Sequence, residues 1–471
     1  MRRLALLVFL VACAHHNKGS GDDTVDAMPA PDACADGLRC FQAACESKNL
    51  PSTTISGTVY APNGTLPIYG VNVYVPETDP GPLTDGATCA RCDVGLQGGA
   101  IVEAVTDEEG HFTLSDVPAT ANVPLVIQIG KWRRQLNIPN VAACQDLPLD
   151  AVDTTLPKAI DDMTPNTTSV DMPKIAISAG NADALECLVR KIGIADKEIT
   201  ARGQGGHINL YADLGINNGA PGGVTKFNPG YAGGSGNFPD SRSLWDPANG
   251  GGVDALKAYD IVFFSCEGGQ NAGTKPQAAL EAVQQYADLG GRVFASHWHN
   301  IWISGEQGKQ ATHGIPDWEA VATWSFAGNP NPDTLTATID EVNNPKGTSF
   351  AKWMDYVGGS VTHGLITPVD QSRNTCSAVD NTKTERWVYL DPTTSGGTGV
   401  AGQMNFQFTT PQNVDPTMRC GKVVFSDMHV SADSISAKAY PTGCSTQPLT
   451  PQEKALTFMF FDIASCVSPI F

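Results

Sequence analysis

The sequence predicts two folded parts in succession, an all-β sandwich and then an α/β three-layer sandwich on a mostly parallel sheet. Three observations lead there. Residues 258–302 run through one strand–helix–strand unit. Residues 51–145 break into short alternating segments separated by turn residues. The length, 471 residues, exceeds what one hydrophobic core usually serves.

The strand–helix–strand unit is the most legible stretch. Residues 259–265 (YDIVFFS) are a compact apolar run of aromatic and β-branched side chains, as a strand covered on both faces requires. Pro276 fits the first turn of a helix, with Thr274 as its cap. Ala279, Leu280, Val283, Tyr286, Ala287 and Leu289 then recur at helical spacing, and Gly290-Gly291 supplies the positive φ that ends a helix. Residues 292–295 begin the next strand. Such a connection implies parallel strands with a right-handed crossover. Ligands of such sheets bind beyond the carboxyl ends of the strands. Two polar groups fall there: Ser265, Cys266 and Glu267 after one strand, Ser296, His297 and His299 after the next.

The chain begins with Met1-Arg2-Arg3, an almost unbroken apolar run to Ala12, and Cys13. That run is too short to span a bilayer permanently and fits an export signal over residues 1–12. Leu10-Val11-Ala12-Cys13 resembles a bacterial lipobox, which implies cleavage before Cys13 and lipidation of its thiol. An ordinary signal peptide that happens to hold a cysteine is the alternative. The resemblance implies an exported protein anchored in the bacterial envelope, at the outer membrane or cell surface, with the membrane as partner. Residues 13–50 are poor in core-forming side chains and read as a disordered tether, with Cys34, Cys40 and Cys45 forming a small disulfide knot. The formal charge of -19 argues against nucleic-acid partners. Thirteen cysteines less Cys13 leave an even number, so disulfides are the expectation, without a readable pairing. Cys89-x-x-Cys92 is expected to be structural rather than a zinc or redox pair.

Residues 51–145 carry strand candidates at 53–60, 71–75, 101–106, 111–114 and 123–129, with Pro62-Asn63-Gly64 and Asp107-Glu108-Glu109-Gly110 as turns. ISGTVYAPNGTLPIYGVNVYVP and AVTDEEGHFTLSDVPA resemble the carboxypeptidase regulatory-like domain, which implies a transthyretin-like sandwich and a non-catalytic module. Gly57, Gly70-Val71 and Thr106-Asp107…Gly110-x-Phe112 carry the match, and residues 78–99 are an insertion in it. Residues 146–172 lack periodicity and read as a linker.

Residues 173–471 supply the α/β part. Strands are expected at 174–178, 207–211, 334–339, 386–390, 404–408 and 422–426. Helices are expected at 184–192, 349–356 and 455–464, the last opened by Thr450-Pro451-Gln452-Glu453. Residues 203–252 form a glycine-rich stretch with Tyr211, Phe227, Tyr231, Phe238 and Trp245, read as a functional surface.

Two alignments of the site compete. Cys266-Glu267-Gly268-Gly269-Gln270 matches C-x-G-x-Q, the nucleophile elbow of class I glutamine amidotransferases. Against it, bulky Phe264 precedes Cys266 by two and the helix starts late. YDIVFFS…ALEAVQQYADLGGRVFASHWHN, with GKVVFSDMHVS and a closing helix, resembles the trehalose-utilisation (ThuA-like) branch of the class I glutamine amidotransferase-like superfamily. That resemblance implies a flavodoxin-like fold and a histidine elbow at His297, with Asp427 and His429 at the late-strand site. His297, His299, Asp427, His429 and Glu267 are the candidate site residues. His297, His299 and His429 are candidate ligands for a divalent transition metal, on the argument that His297 and His299 point the same way from a strand. A mutually satisfied buried network is the competing reading. Cys266 is expected to be half of a disulfide, with Cys187 as one choice. The favoured function is a binding or structural envelope protein without catalysis, recognising a glycan, peptide or envelope component through the aromatic stretch. The alternative is a metal- or histidine-dependent hydrolase acting on carbohydrate or an envelope polymer.

Overall fold

The computed structural model describes residues 37–212, 216–217, 220–221, 223–327, 335–369, 372–394, 400–430 and 439–470. The expected export signal, Cys13 and the first part of the tether lie outside the described residues.

Two sheets form the amino-terminal part. Strand Thr54–Thr58 pairs antiparallel with His111–Ser115 and parallel with Asp146–Pro148. A five-stranded sheet runs Val102–Val105, Asn72–Val75, Ala121–Ile129, Trp132–Asn140, Thr167–Asp171. Their alternating apolar residues, Ile55, Phe112 and Leu114 from one sheet and Val73, Leu125 and Ile127 from the other, join one core. The Asp107–Gly110 turn forms as its chemistry dictates: Asp107 accepts from the backbone N–H of Glu109 and His111, and Gly110 has φ 77°.

Two expectations are corrected here. Residues 146–172 are not a free linker, because Asp146–Pro148 and Thr167–Asp171 are edge strands. These strands are too short to show a period, and side chains fasten the intervening loop: Arg134 donates to Asp162 and to the Thr155 carbonyl, and Asp153 accepts from Thr164 and Asn166. Residues 37–50 are not a free tether either. They form turns at Gly37–Phe41 and Glu46–Lys48, bury Phe41, and are bonded to the sheets through Cys45–Cys144.

The α/β part is built on one ten-stranded sheet. Ile199–Ala201, Ile208–Ala212, Ile175–Ala179, Ile261–Phe264, Arg292–Ser296 and Gly421–Ser426 are mutually parallel neighbours in that order. Gly402–Thr410, Thr384–Leu390, Leu335–Ile339 and Leu365–Val369 continue the sheet antiparallel. The sheet is therefore mixed, with its parallel strands grouped on one side.

Period-two alternation sends each central strand into two cores. Val262, Phe264, Ala295 and Phe425 pack with helix Gln277–Asp288, while Phe263, Phe294 and Val424 pack with helix Pro451–Ala464. The second helix carries the full capping box: Thr450 accepts from the Glu453 N–H, and Glu453 accepts from the Thr450 N–H. Its Phe460 stacks on Phe263 and also touches Trp132 of the amino-terminal part. The first helix is preceded by a turn at Ala272–Thr274, and Pro276 rather than Thr274 occupies the cap position.

The insertion at residues 78–99 fastens the two parts. Gly290 (φ 107°) lies so close to it that a Cβ would stand 2.3 Å from the Thr88 carbonyl oxygen. Cys89 bonds Cys420 and Cys92 bonds Cys466, so the two cysteines reach separate distant partners. Cys187 bonds Cys444, not Cys266. Cys266 and Cys376 are free and buried, which corrects the expectation that Cys266 is half of a disulfide. Cys40 is disulfide-bonded.

The glycine-rich stretch turns most of its aromatics away from solvent, with Tyr231 half-buried. Phe227 contacts Tyr231, Phe238 and Tyr440, and Trp245 is buried against Phe264 and Trp302. Its glycines permit close backbone approach instead: a Cβ on Gly234 would meet the Phe227 ring at 2.5 Å.

Candidate functional site

Three neighbouring parallel strands end in polar residues on the same edge. Ser265, Cys266 and Glu267 follow Ile261–Phe264, His297 follows Arg292–Ser296, and Asp427 and His429 follow Gly421–Ser426. The chain turns sharply at His297, whose φ is 41°, and enters a turn at His297–Asn300 followed by a short helix, Ile301–Ser304. A non-glycine residue in that region is held there by its surroundings. Ala295, two residues earlier, leaves room for the bend.

The structure sorts the candidates into three groups. In the first, His297 Nδ1 lies 3.2 Å from the Cys266 sulfur, and the His297 and His429 rings are 5.3 Å apart between centroids. One donor atom from each of Cys266, His297 and His429 falls within 4.8 Å of the others. The two competing elbow residues thus meet at one place. His297 Nε2 and both nitrogens of His429 are buried with no hydrogen-bond partner among the described residues.

In the second group, Glu267 turns away from the thiol beside it. Its carboxylate takes the Lys275 ammonium at 2.5 Å, Asn271 at 3.0 Å and His299 Nε2 at 3.2 Å. Lys275 also lies over the Trp245 and Trp302 rings, at 5.6 and 5.8 Å. His299 is therefore a partner of Glu267 and does not join His297 as a metal ligand. The strand argument fails because the strand has ended: the turn at His297 rotates the two imidazoles apart.

In the third group, Asp427 points at the segment before and within strand Asn374–Val379. It accepts from the Thr375 N–H at 2.7 Å and the Thr375 hydroxyl at 2.9 Å, and its own carbonyl accepts from the Arg373 N–H. Asp427 is accordingly absent from the donor cluster around His429.

Burial governs the electrostatics. It pushes the Cys266 thiol up to about 12 and the His429 imidazole down to about 3. It also drives His297 well below the ordinary histidine value, with His429 and Arg373 adding to the effect. His299 is lowered by burial too, against the opposing pull of Glu267. Burial raises Asp427 to about 7, although the Thr375 donors and Arg373 favour its charged form. A cysteine beside a histidine is the pairing of a thiol nucleophile and its base. Here the thiol is the resting form, and Cys266 and His297 are 0% and 2% exposed.

Sequence reasoning missed Asp183. It follows the strand Ile175–Ala179, accepts from the Ser296 hydroxyl at 2.6 Å and the Val430 N–H at 2.8 Å, and so ties the loops carrying His297 and His429 together. Its place just past a strand end was the available signal. Gly180 has a matching role, since a Cβ there would meet the Cys266 carbonyl oxygen at 2.1 Å. Arg373 and Thr375 lay in a segment with no sequence signal.

No family model matches the chain. No curated protein matches it either. Solved structures with partial likeness include a ThuA-like protein from Bacteroides uniformis, at 12% identity over 63% of this chain and 94% of that one, TM-score 0.30. The cytoplasmic protein STM3548 from Salmonella typhimurium aligns at 12% identity over 61% of this chain and 98% of that one, TM-score 0.29. A type II cohesin–X-dockerin complex from Acetivibrio cellulolyticus aligns at 18% identity over 30% of this chain and 71% of that one, TM-score 0.16. Likeness at these scores carries no argument about fold or activity; it records that ThuA-like proteins stand among the structural neighbours, at low identity and partial coverage.

Proposed function

We propose that this chain is an exported, lipid-anchored envelope protein that binds without catalysing, pairing a carboxypeptidase regulatory-like sandwich with a ThuA-like domain whose strand-end site is closed. The observation that supports this reading is the burial of that site. Cys266, Asp427 and His429 are 0% exposed, and His297 and His299 are 2% and 1% exposed, so no substrate atom reaches them. A catalytic group must come within hydrogen-bond reach of the reacting atoms. The ligand is an envelope glycan or peptide. It does not use Tyr211, Phe227, Phe238 or Trp245 of the glycine-rich stretch, which are buried. The cleft that suits such a ligand is the 590 Å³ space under the insertion at residues 78–99, with Arg91, Glu103, Lys131, Asp260 and Arg292 on its walls.

The test uses Cys13→Ala protein, freed of its anchor and soluble in this reading. It is incubated with isolated peptidoglycan, and sedimentation and chemical turnover are followed together. Retention on the polymer without release of sugar, peptide or ammonia is the expected result. Turnover of the polymer or of glutamine overturns the non-catalytic assignment, and absence of retention overturns the binding one. An unchanged membrane fraction for Cys13→Ala overturns the anchor.

A further inference from the structure

We propose that Cys266, His297 and His429 form a thiolate–imidazole site for one transition-metal ion of the zinc or copper class. Three independent features converge on it. The first is donor chemistry and spacing. One sulfur and two imidazole nitrogens fall within 4.8 Å of one another, and the Cys266–His297 pair is at 3.2 Å. Donors on a tetrahedral zinc ion stand about 3.4–3.6 Å apart. Rotation of the imidazoles closes the remaining distance.

The second is unexplained polarity. His297 Nε2 and both His429 nitrogens are buried without a hydrogen-bond partner among the described residues. Buried polar atoms are normally satisfied, and a lone pair aimed at a metal is satisfied by it. One ion takes one nitrogen from each imidazole and so satisfies two of the four, including one on His429; a self-satisfied polar network accounts for one, His297 Nδ1 beside the thiol, and for none on His429 among the described residues.

The third is support. The ligands follow three adjacent strands of the sheet, Ile261–Phe264, Arg292–Ser296 and Gly421–Ser426, so a rigid frame sets their spacing. The Gly268 N–H lies 3.4 Å from the Cys266 sulfur, the usual outer-shell donor to a thiolate. Asp183 ties together the loops behind His297 and His429.

Sulfur with imidazole selects zinc or copper over magnesium or calcium, which prefer oxygen. Binding forms one metal–sulfur and two metal–nitrogen bonds. The thiol proton leaves to solvent, the imidazoles donate neutral lone pairs, and no electron is transferred. Because the three residues are buried, the ion is held away from bulk solvent, and the three donors leave its fourth position to another ligand. This inference stands apart from the binding reading, since a buried metal site is compatible with any ligand on the cleft.

The experiment uses the full exported chain, purified without chelator or affinity-tag histidines. Mass-spectrometric metal analysis is expected to find close to one zinc or copper per chain. Cys266→Ser and His429→Gln are each expected to reduce that content at least ten-fold, while Cys376→Ser, a buried thiol outside the cluster, retains it. Protein grown on cobalt is expected to show a thiolate-to-cobalt charge-transfer band that Cys266→Ser lacks. Should the variants fold poorly, X-ray absorption on the unmodified protein decides: one sulfur and two imidazole nitrogens around the ion support the site. A metal content below one-tenth per chain in both ordinary and cobalt-grown protein overturns it. So does a coordination shell without sulfur, or undiminished metal in both variants.

Discussion

His297 and His299 are separated by a single residue and are equally buried, yet their surroundings differ in kind. His299 faces a carboxylate that also holds a buried ammonium, and the carboxylate and ammonium balance each other. His297 faces a thiol and a second histidine that has no hydrogen-bond partner among the described residues. The Glu267–Lys275–His299 group pairs its charges internally and leaves only His299 Nδ1 without a hydrogen-bond partner among the described residues, so its cost on disruption is structural. The Cys266–His297–His429 group is incomplete by its own chemistry. Proximity to a strand end therefore does not make a residue functional. What remains of its hydrogen-bonding capacity after folding is the better guide.

The comparison can be broken most forcefully at Glu267. Glu267→Gln leaves the fully buried Lys275 ammonium without its anionic partner, and equilibrium denaturation is expected to show a loss of about 3–5 kcal/mol. A loss under about 1 kcal/mol would show the ion pair to be marginal, and the two groups would no longer differ in kind.

A second internally paired cluster sharpens the same point away from the site. Asp462 takes Lys346 at 2.5 Å and Lys422 at 3.2 Å. Burial raises the Asp462 carboxyl, but the two ammoniums outweigh it and hold it well below the ordinary carboxylate range. A carboxylate depressed in the folded state contributes stability that is present above the unfolded value of about 4 and is lost as pH falls below it. Asp462→Asn is expected to cost about 2–3 kcal/mol at neutral pH, allowing for the partly exposed Lys346. The gap between variant and parent should narrow as pH is lowered below the unfolded value, read by chemical denaturation over an acid series.

The histidines themselves give the smaller effects. His299→Leu removes one charge-assisted hydrogen bond to Glu267 and is expected to cost about 1.5–3 kcal/mol. His429→Leu, in metal-free protein, removes two unpartnered nitrogens from an apolar setting, and a change within about 1 kcal/mol of zero is expected. Equal losses at the two positions would erase the distinction.

Much of the frame was legible in the sequence. The strands Ile261–Phe264 and Arg292–Ser296 and the helix between them announced themselves by continuous burial and helical spacing. The Thr450–Glu453 capping box did so by its chemistry. These are local signals. The edge on which the site residues stand followed from the βαβ connection. What stayed hidden depended on distant pairing. Antiparallel and parallel strands read alike when both faces are buried, so the reversal at Gly402–Thr410 left no mark. Edge strands as short as Asp146–Pro148 have no period to detect. Disulfide partners 331 and 374 residues apart are set by the fold. The orientation of His299 was misjudged because strand alternation was extended past a turn at His297 that only backbone geometry reveals.

The central claim is that the strand-end site is closed and that Cys266 is not a nucleophile. It is tested most directly by treating native protein with a thiol-directed glutamine analogue and mapping the adduct by mass spectrometry. Cys266, fully buried, is expected to remain unlabelled until the protein is denatured, with no ammonia released from glutamine. Stoichiometric labelling of Cys266 in the native state, accompanied by ammonia release, would contradict the account and restore an amidotransferase elbow at that residue.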